Sequence, residues 1–529
     1  MPHRATTALL QIGVVAVALA ALPYRVFELD RYFVPKELVL HGAAVLLAVP
    51  LLARRREGRP DAADALLALF LAWSAASALF ATNYWLAQRA LGVTASSLIL
   101  FWSARRIGNA GGHRPILVAA AFATVVATTT GLAQAYGYES VFFSLNRAPG
   151  GTFGNRNFVA HVAAIGLPVL IYTVVTARTS TGALVGTLGA GAVAALLVLT
   201  RSRAAWLAVA ASLGVALIAL LASRQYWRGS ATGGRLARIA LTAVVAVVAV
   251  VVLPNTLNWR SDSPYLDSAL RVADYSTGSG RGRVAQYMNS LDMTTANPVF
   301  GVGPGNWPVE YVEFAPAADR SLADDGMTAN PWPSSDWVAY ASERGPVAAL
   351  ALAGAFAVLF SSAFRRWSHL RGADEVLAKV ALAATITATA VVSAFDAVLL
   401  LATPAFLAWI VIGATSGIGL TSGIGAAGGE PARSRWWKPA MILASLLVLA
   451  AVARGTTQLA AIGIVAEGGA GTAWVDAARW DPGSYRIALR AAEVQASRRR
   501  CTSARAHATR ARSLFPHAAA PRRVLRRCS

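Results

Sequence analysis

Residues 183–222 read ALVGTLGAGAVAALLVLT RSR AAWLAVAASLGVALIALLA, two uncharged blocks of 18 and 19 residues on either side of Arg201-Ser202-Arg203. A helix rises about 1.5 Å per residue, so about 20 apolar residues cross the roughly 30 Å hydrocarbon core of a bilayer. Buried helices of soluble proteins are usually shorter and keep a polar face. The blocks therefore read as two antiparallel spans joined by a tight turn at a membrane surface.

The rest of the chain repeats the pattern. Apolar blocks fall at 7–23, 36–53, 62–81, 87–103, 115–137, 157–176, 183–200, 204–222, 239–253, 346–363, 376–395, 399–417 and 438–453. Over 529 residues, 56% are hydrophobic and only 14% charged. The expected fold is all-α and polytopic, with about 12–13 spans and a small helical tail. The first block lacks a small-residue cleavage site, so it reads as a span and not as a removed signal.

A formal charge of +22 invites a nucleic-acid partner, but the positive residues sit in short clusters beside spans or after residue 450. With the N-terminus inside, the inner breaks hold Arg54, Arg55, Arg56 and Arg59; Arg105, Arg106 and Arg114; Arg178; Arg224, Arg228, Arg235 and Arg238; Arg365, Arg366 and Arg371; and Arg433, Arg435 and Lys438. Positive residues flanking spans stay in the cytoplasm, which favours this orientation. Segments 24–35, 138–156, 201–203, 254–345 and everything after about 454 then lie outside.

The expected organisation is a membrane domain over 1–418, interrupted by an external loop at 254–345, then a Gly-rich cytoplasmic linker at 419–437, a last span at 438–453 and an external tail at 454–529. The long loop exceeds a simple connector. Its pattern predicts a helix over 283–294, a Gly/Pro turn at 300–306 and a short helix at 307–315. A further helix from near Ser335 is expected to run straight into the span at 346. In the tail, Pro482 and Pro516 lie 34 residues apart among Ala-rich helical stretches. That period suits a tetratricopeptide-like repeat or an unspecific helical hairpin. In a hairpin, Cys501 starts one helix and Cys528 ends the next, which makes them a disulfide candidate on an oxidising side or two unpaired thiols.

None of the seven histidines lies in the long loop, and no Cys/His set has zinc-ligand spacing, so neither a metal nor another cofactor is expected. Gly301-Val302-Gly303-Pro304-Gly305 follows no strand and does not suit a nucleotide loop. The remaining chemistry is cationic. Arg201 and Arg203 at the turn, with Arg271, Arg281 and Arg283 in the loop, can pair bidentately with a diphosphate or simply reach for lipid head groups. Asn155 and Asn157 end a Gly-rich segment that can present amides to a polar ligand. Asp336 and Glu343, seven residues apart on one helix face, can accept a proton from a hydroxyl; solvent or Arg344 is the plainer partner.

Taken together, five pieces resemble the bacterial O-antigen ligase and polymerase superfamily, which includes the protein O-oligosaccharyltransferases. They are Phe33-Val34-Pro35-Lys36; Gly151-Thr152-Phe153-Gly154-Asn155-Arg156-Asn157; Thr200-Arg201-Ser202-Arg203-Ala204; Arg283, Tyr287, Leu291 and Met293 before Asn297-Pro298-Val299-Phe300-Gly301-Val302-Gly303-Pro304-Gly305-Asn306; and Ser334-Ser335-Asp336-Trp337 followed by Glu343-Arg344-Gly345. The likeness spans about residues 25–415, and tetratricopeptide-like tails occur in relatives. It implies metal-independent glycosyl transfer at the outer face of a bacterial cell membrane. The donor would be a glycan on undecaprenyl diphosphate, and the acceptor lipid A core, another lipid-linked glycan or a protein hydroxyl. By the same resemblance Arg203 and Arg283 stabilise the departing diphosphate, Arg201 and Arg281 assist, and Asn155, Asn157 and Tyr287 hold the donor.

One position departs from the pattern: Ser334 stands where the family usually has His. Asp336 or Glu343 then serves as base, or the acceptor differs, or transfer has been lost. Two rival readings remain. A transporter or lipid flippase would carry charged or broken helices at mid-bilayer and paired repeats, and neither stands out here. A catalytically degenerate scaffold would use the tail to recruit an envelope protein.

Overall fold

Each span of the sequence becomes a helix, and Asp61, Asn83, Asn155, Thr179 and Ser335 cap the starts of five of them. In a computed structural model, the chain is described over residues 2–24, 26–27, 29–53, 61–145, 147–228, 231–259, 261–272, 278–316, 319, 322, 331–365, 370, 372–419, 437–468 and 471–529. Arg54, Arg55, Arg56, Arg59, Arg366, Arg371, Arg433, Arg435 and most of the 419–437 linker lie outside the described residues. The first ten helices are α1 (Pro2–Leu19), α2 (Asp30–Ala53), α3 (Ala62–Ser77), α4 (Tyr84–Asn109), α5 (His113–Ala135), α6 (Arg156–Val175), α7 (Ser180–Thr200), α8 (Arg203–Ala222), the single turn α9 (Arg224–Trp227) and α10 (Thr232–Val252). The long loop holds α11 (Pro264–Leu270), α12 (Gly278–Ala296) and α13 (Trp307–Phe314). Then follow α14 (Asp336–Ala363), α15 (Ala373–Phe395), α16 (Ala402–Ser416) and α17 (Trp437–Glu467). The tail forms α18 (Thr472–Trp480), α19 (Tyr485–Ser497), α20 (Cys501–Leu514) and α21 (Ala519–Arg527).

Among the described residues, ten helices are long and apolar enough to cross a membrane: α2, α3, α5, α6, α7, α8, α10, α14, α15 and α17. The chain is an all-α polytopic membrane protein. α1 and α16 are apolar but shorter, and α4 carries Arg89, Arg105 and Arg106. α6 and α15 form the centre, with 89% and 83% of their apolar windows buried, whereas α10 buries only 11% and presents Val244, Val245 and Val248 outward.

Inside lipid, apolar area drives little helix association, so close packing between small residues matters more. α4 and α16 meet this way. A methyl group on Gly108 would sit 1.9 Å from the Ala414 carbonyl oxygen, and one on Gly413 would sit 2.4 Å from that of Phe101. At one end of the bundle, buried Arg105 pairs with Asp61 and Asp64, which also cap α3 reciprocally, and Trp102 Nε1 donates to Asp64 at 3.0 Å. Pairing of this kind lets an otherwise apolar helix carry a buried charge.

The opposite end gathers the 138–155 segment, the Arg201 turn, the long loop and the tail. Thr256 N donates to Ala135 O, Trp73 Nε1 to Val299 O, and Asn83 Nδ2 to Leu514 O. α12 and α13 stand where the hydrophobic pattern expects them.

Two expectations need correction. The helix from Ser335 does not run straight into its span: Gly345 (φ 81°, ψ 162°) breaks α14 just before Pro346. A side chain there would meet the Val299 carbonyl oxygen at 2.1 Å, so this glycine lets the Gly-rich turn nest against the break. The last helix also does not stop at 453. α17 continues to Glu467 because its extension packs on α2, with Gly455 against Leu38.

Candidate functional site

α7 ends at Arg201, a non-glycine residue in the left-handed region (φ 54°, ψ 28°), and α8 starts at Arg203. This sharp reversal aims both arginines toward the long loop. Arg201 Nε donates to Ser268 Oγ at 2.8 Å, and Arg203 Nη1 donates to the Arg271 carbonyl. The Arg201 guanidinium also lies 4.8 Å from the centre of the Trp259 ring. Arg156, the first residue of α6, lies 4.7 Å from the same ring. Two cations therefore share one indole, a favourable arrangement for each alone but one that holds like charges close together. Among the described residues, neither Arg156 nor Arg201 has a carboxylate partner, and the buried Trp259 Nε1 has no acceptor.

The next residue of α6 faces a second polar group. Asn155 caps the helix by accepting from Asn157 N at 3.0 Å, and Asn157 Nδ2 reaches Asp396 Oδ2 at 3.4 Å. One turn further, fully buried His161 places Nε2 3.7 Å from the same carboxylate oxygen, with Arg283 in electrostatic reach. Arg201, Arg156, Asn157 and Arg283 thus border one region around the head of α6, and Arg203 stands two residues from Arg201 at the start of α8. Arg281 is exposed on α12.

Tyr287 plays a tying role: its hydroxyl lies 2.7 Å from Ser334 O and 3.0 Å from Ala394 O, joining α12 to the approach of α14 and the last turn of α15. Ser334 Oγ is bonded to Gln286 Oε1 at 2.9 Å. Asp336, fully buried, accepts the backbone amides of Val398 (3.1 Å) and Leu399 (2.7 Å). Glu343 accepts those of Gly305 (2.8 Å) and Trp307 (3.3 Å). Both carboxylates hold loops in place through backbone amides.

Beside this region a cavity of about 1470 Å³, counting its open mouth, separates the bundle from the tail. Asp30, Glu37, Arg89, Trp332, Glu343 and Arg454 line it from the bundle side, and Asp481, Arg486 and Phe515 from the tail. Burial pushes the Asp481 carboxyl above its ordinary range, while the adjoining Arg454 guanidinium acts the other way. On the tail's other flank, Glu310, Glu313 and His517 bring one ligand atom each within 4.8 Å of one another, a group that could hold a cation. Sequence spacing could not have found it, since His517 lies more than 200 residues from the glutamates.

Arg156, His161, Asp396 and Trp259 also escaped the sequence reading. For His161 a signal was present: it sits four residues after Asn157, on the same helical face. Trp259 and Asp396 carried none, because only the folded loop brings them to α6.

The structure joins Cys501 and Cys528 as a disulfide, with α-carbons 5.1 Å apart. A family profile described as O-Antigen ligase matches residues 188–353, a stretch that contains Arg201, Arg203, Arg281, Arg283, Tyr287, Asp336 and Glu343. No curated protein matches the chain. The family match supports a glycosyltransferase-like ligase role, with a lipid-linked glycan donor and a separate acceptor.

Proposed function

We propose that this protein transfers a glycan from undecaprenyl diphosphate to an acceptor hydroxyl at the outer face of a bacterial cell membrane. The observation that carries this reading is the Arg201-Ser202-Arg203 reversal, with Arg156 and Arg283 facing the same region and all four lying at the loop-bearing end. As the acceptor hydroxyl oxygen bonds to the anomeric carbon, the bond to the diphosphate breaks, negative charge collects on the leaving group, and the hydroxyl proton passes to solvent or to the departing diphosphate. Preset guanidinium groups stabilise that charge without a metal ion, and their fork geometry matches phosphate oxygens. The outward placement is supported by Arg105, Arg106, Arg114, Arg178, Arg224, Arg228, Arg235 and Arg238 at the opposite end, since positive residues beside spans stay in the cytoplasm. Lipid A core, a second lipid-linked glycan and a protein hydroxyl are all suitable acceptors for this chemistry.

The experiment is deletion of the gene, complementation with variants, and measurement of carrier-linked glycan against surface product. Arg203→Ala and Arg283→Ala are expected to lower transfer by about 10²–10³-fold while the protein still accumulates in the membrane. Normal transfer in both variants would sink the diphosphate clamp. One observation favours the rival scaffold reading: Ser334 and Asp336 are both tied to protein partners, Gln286 and the 398–399 backbone. Under that reading, deletion leaves the carrier-linked glycan pool unchanged.

A further inference from the structure

The cavity between bundle and tail has a chemistry unlike the arginine region. Four acidic residues (Asp30, Glu37, Glu343, Asp481) and three arginines (Arg89, Arg454, Arg486) line it, so it carries no surplus of positive charge. Most of these charges already have partners. Arg89 pairs with Glu37 at 2.8 Å and with Asp30 at 3.3 Å, Arg454 pairs with Asp481, and Glu343 holds backbone amides. A diphosphate would find no surplus of positive charge here. A lipid chain would strand charged groups against hydrocarbon.

What is left over are hydrogen-bond donors and aromatic faces. Arg454 is only 6% exposed and lies 4.9 Å from the Trp85 ring centre, yet its Nε and Nη1 have no acceptor. Those two nitrogens are closed off from the cavity, so the guanidinium that a ligand meets there is that of the exposed Arg486. Trp85, Trp332 and Phe515 add flat apolar surface to the same walls. Paired charges that can exchange hydrogen bonds with hydroxyls, set among aromatic faces that accept C–H surfaces, suit a polyhydroxylated, uncharged ligand. The tail is built into this wall: a methyl on Gly483 would come within 2.4 Å of Trp85, so backbone meets indole directly.

We propose that this cavity binds a neutral saccharide and that the tail, through Arg486 and Phe515, selects it. Assigning that saccharide to the donor or the acceptor of transfer rests on the function proposed above; the binding itself does not. The arrangement gives the tail a part in sugar recognition and separates glycan selection from diphosphate binding.

The test uses the full chain in lipid nanodiscs, an array of soluble neutral and acidic oligosaccharides, and tryptophan fluorescence for affinities. Neutral oligosaccharides are expected to bind. Arg486→Ala, at an exposed position, and Phe515→Ala should each weaken binding by about tenfold. Excess inorganic diphosphate should leave saccharide binding unchanged. Absence of binding to any neutral sugar, binding unaffected by both variants, or displacement by inorganic diphosphate would each overturn the proposal. Because these probes lack the lipid diphosphate, a failed arginine clamp and a failed saccharide site give different results: the first abolishes the Arg203→Ala effect on transfer, the second the array signal.

Discussion

Val398 N lies 3.1 Å from both oxygens of the Asp336 carboxylate, and Leu399 N lies 2.7 Å from one of them. Those amides occupy lone pairs that a general base would need, and full burial removes the group from any acceptor. We therefore expect Asp336→Asn to act on stability. An amide keeps one acceptor but turns an NH₂ toward a backbone N–H, which costs about 1–3 kcal/mol at a buried position. The melting temperature of the solubilised protein should fall, and residual transfer should keep its pH profile. An unchanged melting temperature with abolished transfer would instead make Asp336 a reacting group. The sequence placed Asp336 and Glu343 on one helix face, and there the reading stopped. Their partners lie about 60 residues downstream and about 38 upstream, beyond any periodic signal. Arg201 and Arg203 were legible because two apolar blocks isolated them, so nothing but a turn could hold them.

Gly413 and Gly417 lie on one face of α16 and its C-cap, and side chains there would meet the Phe101 and Arg105 carbonyl oxygens at 2.4 and 2.2 Å. Such contact between backbones is how helices associate where lipid competes equally for apolar side chains. Gly413→Ala is expected to lower the melting temperature by several degrees and reduce the folded yield. Gly214→Ala in α8, where an added methyl meets nothing within 4 Å, should leave stability unchanged or slightly higher. Equal behaviour of the two variants would contradict the α4–α16 contact. Span existence was legible from apolar runs, since a membrane demands length above all. The break at Gly345 was not: the pattern predicts a helix running straight into its span, whereas the conformation answers to Val299, which the loop delivers from 46 residues away. The continuation of α17 past 453 depends on Leu38 and on tail helices, again long-range partners.

At the scale of the whole molecule, charge and redox chemistry point to the same side. The arginine bias favours the proposed outward placement of the loop-bearing end, and the Cys501–Cys528 bond, which closes a sequence separation of 27, lies at that end. The α19–α21 core beneath it is mostly alanine: Ala492, Ala496, Ala504 and Ala508, with Val524. Alanine buries little area, so a cross-link restricting the unfolded tail contributes a large share of its stability, about 3 kcal/mol for a loop of this length. Cys528→Ala is expected to make the tail sensitive to protease while the bundle stays folded, and with it to weaken the cavity wall. Whole cells alkylated before lysis and run with and without reductant should show the bond as a mobility shift confined to the native pair. A tail found fully reduced and also shielded in intact cells from a membrane-impermeant thiol reagent lies on the cytosolic side. That outcome would invert the bundle, carry the Arg201–Arg203 turn to the inner leaflet, and remove the carrier-linked donor from its reach.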